Sequence, residues 1–325
     1  MSVADLAKSI KQTLEQSGSR LSKPVLRKLS EACAGLLHAK SVNTFKIGLA
    51  LPGAPESISG RELWINRLLA SRAFSESDAL APFARADLAA ACEGGQRPIL
   101  CMDQTELGDR HAVLMLALRV GERAIPLCWH VEPGSANIGS AKQIELLETV
   151  LAWLPAGAKP ILMGDRFYPS QVLFSWLGSH GFGWRLRLKG NAELSCSDGR
   201  IGQVADLARR HPNGGFFDGS ATIYASATPT GVAWIWDQGH KEGWAIAMDC
   251  KPTRAAALDY GCRWGIETMF SDFKSRGFDL QKSQMKLPER LSKMVLLVAL
   301  AMRMCMAAAA EASKKSDENM AASPR

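Results

Sequence analysis

No two of the eight cysteines stand close enough to make a CxxC pair, and none of the six histidines sits at a zinc-finger offset from one. The usual sequence forms of a zinc site and of a disulfide scaffold are therefore excluded. Cys33, Cys92, Cys101, Cys128, Cys196, Cys250, Cys262 and Cys305 read as reduced, mostly buried thiols of a cytosolic protein. No apolar run reaches the ~20 residues of a membrane span. The nearest, Met294 to Ala310, has Arg303 near its middle and reads as a buried helix. The N-terminal MSVADLAKSIKQTL lacks the apolar core of a signal peptide. No internal repeat and no low-complexity segment is present, and with 47% hydrophobic residues the chain is globular, not disordered. Acidic residues are outnumbered, 32 to 39, which leaves a net charge of +7 and a pI near 9.0. That balance suits a polyanionic partner, although charge alone does not single out nucleic acid.

The 325 residues suggest two domains, or one catalytic domain with additions. Residues 1–95 read as a small helical region. Leu6, Ile10 and Leu14 recur at helical spacing, Leu26 to Leu37 form a second apolar stripe, Ser22 and Pro24 mark a helix start, and Glu62 to Ala70 is a further helix. Eight Lys/Arg against three Asp/Glu in residues 1–50 make this region either a DNA-binding unit or a set of solvated helix faces. From residue 96 the period changes. Pro98 to Asp103, Ala112 to Val120 and Ala124 to Val131 read as strands, the last two joined by a short turn at Gly121. A helix over Ser140 to Leu154, a strand over Pro160 to Asp165, a helix over Ser170 to Leu177 and a strand over Gly183 to Lys189 follow. On the last strand Arg185, Arg187 and Lys189 share one face, open to solvent or to DNA phosphates. The order predicts an α/β fold, a mixed sheet with flanking helices as in ribonuclease H, over residues 96–189. Residues 190–252 predict a β-rich insertion. The helices of 253–312 complete the fold, and a polar, disordered tail fills 313–325.

The chemistry concentrates in one helical segment, Tyr260 to Lys274. At ~100° per residue, Tyr260, Arg263, Glu267 and Lys274 fall on one stripe, beside an apolar arc of Ile266, Met269, Phe270 and Phe273. A carboxylate flanked by cations can hold a divalent metal while Arg and Lys grip phosphate. It can equally be an intrahelical ion pair on a solvated face. Asp103 and Asp165 each end an apolar strand, where ligands gather in α/β sheets. Carboxylate oxygens select Mg²⁺ or Mn²⁺.

The spacing Tyr260-x2-Arg263-x3-Glu267-x6-Lys274 resembles the signature of the IS4-type DDE transposases, the transposases of one class of insertion sequence. Asp103, in Met-Asp-Gln-Thr, matches their first aspartate. Asp165, in Asp-Arg-Phe-Tyr, matches the second, with Phe167 standing where the family pattern has glycine. The resemblance spans about 97–290. It implies an RNase H-like catalytic domain in which Asp103, Asp165 and Glu267 hold two Mg²⁺ or Mn²⁺ ions and cut-and-paste transposition proceeds by 3′-OH liberation, a hairpin step and strand transfer. One metal would activate water and the other stabilise the leaving oxygen. It implies that Tyr260, Arg263 and Lys274 contact DNA and that an insertion aromatic, from Trp234, Trp236 and Trp244, stacks on a base or lies in the strand core. Arg166 is a phosphate clamp or a salt-bridge partner. The implied partners are double-stranded DNA, as terminal inverted repeats and target, and a second copy in a homodimer, with no membrane, in a bacterial cytoplasm at the nucleoid. Two other readings share the carboxylates: an RNase H-like nuclease without strand transfer, and a domesticated or inactive transposase-derived DNA-binding protein.

Overall fold

The computed structural model describes residues 1–53, 55–224, 228–237 and 242–321, without the side chains of 314 and 316–321. The chain divides into two compact units. Unit 1 comprises Met1–Phe83, Leu107–His111 and Phe270–Arg325, and unit 2 comprises Ala84–Glu106 and Ala112–Met269.

Unit 1 is helical. α1 (Val3–Gln16) starts in a capping box, in which the Ser2 hydroxyl accepts from the Asp5 N–H at 3.1 Å and the Asp5 carboxylate accepts from the Ser2 N–H. α2 (Lys23–Ala39) has Pro24 in its first turn and ends at Lys40 in the left-handed region. Most of the predicted stripes are buried: Ile10 and Leu14 on α1, where Ala7 is buried and Leu6 half-buried, and Leu26, Leu29, Cys33 and Leu36 on α2. α3 (Thr44–Ala50), α4 (Ile58–Leu69) and the start of α5 (Glu76–Ala91) follow. Elements β1 to β10 and α6 to α10 come between, and the last helix of unit 1 is α11 (Pro288–Ala321). By length and composition its stretch Pro288–Ser313 could cross a membrane. Every residue from Lys293 to Arg303 is nevertheless buried, as in the core helix of a folded domain. Lys293 is drawn into that interior by two acceptors. Its Nζ donates to the Phe74 carbonyl at 2.5 Å and to Glu76 at 3.2 Å, and lies 4.1 Å from the Phe74 ring centre. The expected disordered tail at 313–325 is helical as far as Ala321, because α11 runs on without a break; residues 322–325 lie outside the described residues.

Unit 2 holds the sheet. β1 (Ile99–Leu107), β2 (His111–Val120) and β3 (Arg123–Pro133) run as hairpins, the second turned by Gly121 at φ 57°. α6 (Ser140–Leu151), β4 (Ile161–Gly164), α7 (Gln171–Ser179) and β5 (Gly183–Arg187) come next. The strand order is β3-β2-β1-β4-β5, with β4 parallel to both β1 and β5. This is the RNase H-like mixed sheet with flanking helices that the sequence predicts. The insertion contributes β6 (Glu193–Ser195), β7 (Ile201–Gln203), α8 (Val204–Arg210), β8 (Gly214–Ile223), β9 (Thr230–Ile235) and β10 (Trp244–Met248). These strands extend the same sheet. β10 lies antiparallel to β5, with Ile246 opposite Arg187 and Met248 opposite Arg185, and the order continues β9-β8-β6-β7.

The return to the helical region is not one regular helix. α9 (Arg254–Leu258) passes into a 3₁₀ turn over Asp259–Arg263, then α10 (Trp264–Ser271), then a π turn over Asp272–Arg276. The rotation per residue therefore changes twice between Tyr260 and Lys274, and a uniform 100° step does not apply across the motif.

Candidate active site

Two aspartates are brought together by strand register. The parallel pairing of β1 with β4 ends at Met102 opposite Gly164, so Asp103 and Asp165 are the next residues on neighbouring strands. Adjacent strands lie ~4.8 Å apart, which sets the two side chains beside each other where the pairing stops. β1 itself runs on to Leu107, so Asp103 lies within its strand and not at its end; what ends there is the parallel pairing. Both aspartates line a cavity of about 260 Å³, together with Gln104, Gln143, Phe167 and Tyr168. A larger cavity, about 490 Å³, lies in unit 1 and is lined by Glu62, Asn66, Lys286 and Arg290, with no paired carboxylates.

The Asp165 turn closes without glycine. Tyr168 N–H donates to the Asp165 carbonyl at 3.1 Å, and Phe167 needs no left-handed backbone. The turn buries Tyr168 and exposes Phe167, whose ring carries Lys189 Nζ 4.6 Å from its centre. The Tyr168 hydroxyl donates to Asp103 Oδ1 at 3.4 Å, an oxygen that also accepts from the Gln104 N–H at 2.9 Å. A side chain on Gly164 would press on Leu186 at 3.0 Å and on Tyr168 at 3.2 Å, so this glycine is what lets the tyrosine approach. The sequence assigned no role to Tyr168; its only signal was its place in the Asp165 turn.

Arg263 links the third carboxylate to the first. It is 6% exposed. Nη1 donates to Asp103 Oδ2 at 3.0 Å, and Nη2 to Glu267 Oε1 at 2.5 Å. Its guanidinium lies 5.5 Å from the Tyr260 ring centre and 5.8 Å from that of Trp264. Arg119 supports the segment from the β2–β3 side, donating to the Cys262 carbonyl at 2.5 Å. The intrahelical Arg263–Glu267 pair is thus present, and it also extends to a strand 160 residues away.

Burial raises the Asp103 carboxyl to about 6. The Arg263 charge and the Gln104 N–H oppose that shift, and the nearby charges of Asp165 and Glu267 add to it. Burial works against the Arg263 charge too, but Tyr260, Asp103 and Glu267 hold its pKa above the ordinary value. Tyr168 is raised well above 10 by burial and then by the two aspartates. Because Asp103 keeps its proton to about pH 6 when folded and to 3.8 when unfolded, its contribution to stability is complete below 3.8 and is lost as pH rises through 6. With divalent ions chelated, wild type should lose roughly 2 kcal/mol relative to Asp103→Asn between pH 4 and pH 7.5. Denaturant melts at the two pH values measure it, and parallel curves for the two proteins would contradict the raised pKa.

Several expected contacts fall elsewhere. Tyr260 is 2% exposed and sits in the core with Ala233, Trp244, Ile246 and Met248, its ring edge-on to Trp244 at 5.4 Å. Burial pushes its hydroxyl up to about 12, and among the described residues that hydroxyl has no hydrogen-bond partner. It is placed to back Arg263, not to touch a DNA backbone from the surface. Arg185 is 5% exposed and bonds Asp249 at 2.6 Å, so the strand face is neither solvated nor open to phosphate at that position. Strand β5 is buried on both sides because β10 covers its far edge and α9 lies over it, with Arg185 Nε donating to the Ala256 carbonyl. Arg187 is paired with Glu242 at 2.6 Å, and Arg166 meets the same carboxylate at 3.6 Å, as a salt-bridge partner. Trp234 and Trp244 are strand core, while Trp236 is 42% exposed. Lys274 lies in the π turn of the segment that belongs to unit 1.

The donor set fits a hard divalent ion at the aspartate pair, since carboxylate and amide oxygens of Asp103, Asp165 and Gln104 line one cavity. Among the described residues no three His, Cys, Asp or Glu side chains are close enough to hold a metal together, and Glu267 is bonded to Arg263.

Among the solved structures that the chain resembles at low identity is an Argonaute from Marinitoga piezophila in complex with guide RNA and target DNA. The identity is 11% and the TM-score 0.23, over 60% of this chain and 28% of that one. No curated protein matches. Residues 95–304 match the model of the transposase DDE domain. That match runs over well more than half of the chain and takes in the whole sheet, both aspartates and the helix of Glu267, so the protein belongs to the family of transposases with a DDE domain.

Proposed function

We propose that this transposase is of the IS4 type and performs cut-and-paste transposition with Asp103, Asp165 and Glu267 as its catalytic carboxylates. The observation that carries the reading is the β1–β4 register, which sets Asp103 and Asp165 on one cavity, with Arg263 tying Glu267 to Asp103. The three carboxylates would hold two Mg²⁺ or Mn²⁺ ions, which when bound polarise a phosphodiester oxygen and ease ionisation of water. The protein's own groups do the rest. Tyr168 and the Gln104 N–H fix Asp103 Oδ1, so the carboxylate is oriented before substrate arrives. Arg263 balances the charge of Asp103 and Glu267 in a buried setting. Arg187, Lys189 and Lys274 are the cations we assign to DNA phosphates near the cut, and Trp236 is the insertion aromatic exposed enough to stack on an unpaired base. A hairpin intermediate and a homodimer holding two transposon ends belong to the same reading, with the nucleoid as its place of action.

The test is incubation of the full chain with paired-end DNA and Mg²⁺. Joined strand-transfer products are expected. Cleavage without joining would overturn the transposition steps in favour of a hydrolytic nuclease. Binding to the same DNA should weaken by about 10³-fold between 50 and 200 mM salt, because each phosphate neutralised releases a counterion. Fluorescence anisotropy reads this directly, and a flat salt response would count against the assigned phosphate contacts.

A further inference from the structure

Arg263 occupies the place where a metal-holding carboxylate would need to be free. Its two Nη groups are committed to Asp103 Oδ2 and Glu267 Oε1, at 3.0 and 2.5 Å. The other Asp103 oxygen is engaged by Tyr168 and by the Gln104 N–H. Among the described residues Oδ2 is therefore the Asp103 oxygen held by a cation alone. The guanidinium is buried, and its Nε has no hydrogen-bond partner among the described residues. It has thus entered a low-dielectric site for its charge partners, with one donor unused. A divalent ion placed between Asp103 and Asp165 would share Asp103 with this arginine at a separation where like charges repel strongly.

We propose that Arg263 is the resident counter-cation of the carboxylate cluster, so that a divalent ion and this guanidinium compete for Asp103. This rests on the metal-site reading above. Arg263 is then a positioning residue whose place depends on loading. Without metal it neutralises Asp103 and Glu267 and holds α10 to β1. With metal it gives up Asp103 Oδ2, and its freed Nη1 and the unused Nε become two donors available to phosphate oxygens. Metal loading and phosphate binding are linked through one side chain, and by reciprocity each should favour the other.

The test needs no catalysis. The DNA-free full chain is titrated calorimetrically with Mn²⁺ as wild type, Arg263→Gln, Arg263→Lys and Asp103→Asn, with circular dichroism to check folding. Arg263→Gln is expected to bind Mn²⁺ at least about tenfold more tightly than wild type, since a competing charge a few ångströms away is gone. Arg263→Lys, which keeps a charge but reaches one carboxylate at a time, should fall between them. Asp103→Asn should lose binding. If Arg263→Gln does not fold, Arg263→Lys decides by the same criterion. Arginine variants that bind Mn²⁺ no better than wild type, while Asp103→Asn has lost binding, overturn the competition and leave the metal site standing. Asp103→Asn binding Mn²⁺ as well as wild type overturns the metal site and the competition together.

Discussion

Asp103→Asn and Glu267→Gln should each reduce DNA strand cleavage by about 10³-fold or more, while DNA affinity measured in chelator changes by less than about tenfold. The two amides are near-isosteres, so neither removes bulk from the half-buried site. Asparagine at 103 still offers Oδ1 to the Tyr168 hydroxyl, and glutamine at 267 still offers Oε1 to Arg263. What disappears is one negative charge, at the end of the β1–β4 pairing for Asp103 and on α10 for Glu267. Phosphate contacts supply most of the affinity for DNA, and these variants remove none of them. A gel assay with end-labelled substrate, beside anisotropy in chelator, separates the two effects. Either variant cleaving within about tenfold of wild type would remove that residue from the catalytic set. Tyr168→Phe is a useful comparison, because it deletes a single 3.4 Å hydrogen bond to Asp103 and leaves all three carboxylates. Its cleavage should fall between wild type and the amide variants.

Asp249→Ala should destabilise the fold by about 3–5 kcal/mol and lower the melting temperature by on the order of 10 °C. Asp249 follows β10 and holds together three segments distant in sequence. Oδ1 accepts from Arg185 at 2.6 Å and from the Trp184 N–H at 3.3 Å, and Oδ2 accepts from Arg97 at 2.9 Å. Burial alone would raise its pKa, but the hydrogen bonds and charges of Arg97 and Arg185 outweigh it and hold Asp249 below the ordinary carboxylate value. Removing the carboxylate leaves the Arg185 charge in the interior with, among the described residues, backbone carbonyls and the Cys250 sulfur for company. That is the costly way to break a buried pair, whereas removing both charges is far milder. Asp249→Ala combined with Arg185→Met should therefore recover a substantial part of the loss. Gly183 belongs to the same cluster, because a side chain there would collide with the Arg97 guanidinium and the Asp249 carboxylate. Chemical denaturation of the single and double variants measures the coupling, and a loss under about 1 kcal/mol would mean that water, not protein, solvates Arg185.

Helix and strand periods made most of the elements of this chain readable before its structure. Ile10 and Leu14 of the first stripe and Leu26, Leu29 and Cys33 of the second are buried as their spacing requires, with Leu6 half-buried, and the apolar strands before Asp103 and Asp165 lie side by side in the sheet. α3 and α5 were not read, because α3 is only 7 residues long and α5 carries Pro82 inside it, which reads as a break. The β-rich insertion was legible as strands, but its partner was not. Pairing of β10 with β5 is a contact between residues about 60 apart, and nothing local in either strand encodes it.

The same division runs through the active site. Side-chain chemistry marked Asp103, Asp165, Arg263 and Glu267 as the residues that matter, since carboxylates and a guanidinium at strand ends and on a helix are few and specific. Their arrangement came from elsewhere. Register joined the two aspartates, and a helix that changes winding at Arg263 and again at Ser271 set which of Tyr260, Arg263, Glu267 and Lys274 meet. Burial turned Tyr260 into core and Arg185 into half of an internal ion pair, although both are polar residues in a motif or alternation that reads as surface. A sequence records the period and chemistry of each segment. Which strand covers β5, and so whether Arg185 meets water or Asp249, depends on contacts between distant segments that form only when the sheet closes around them.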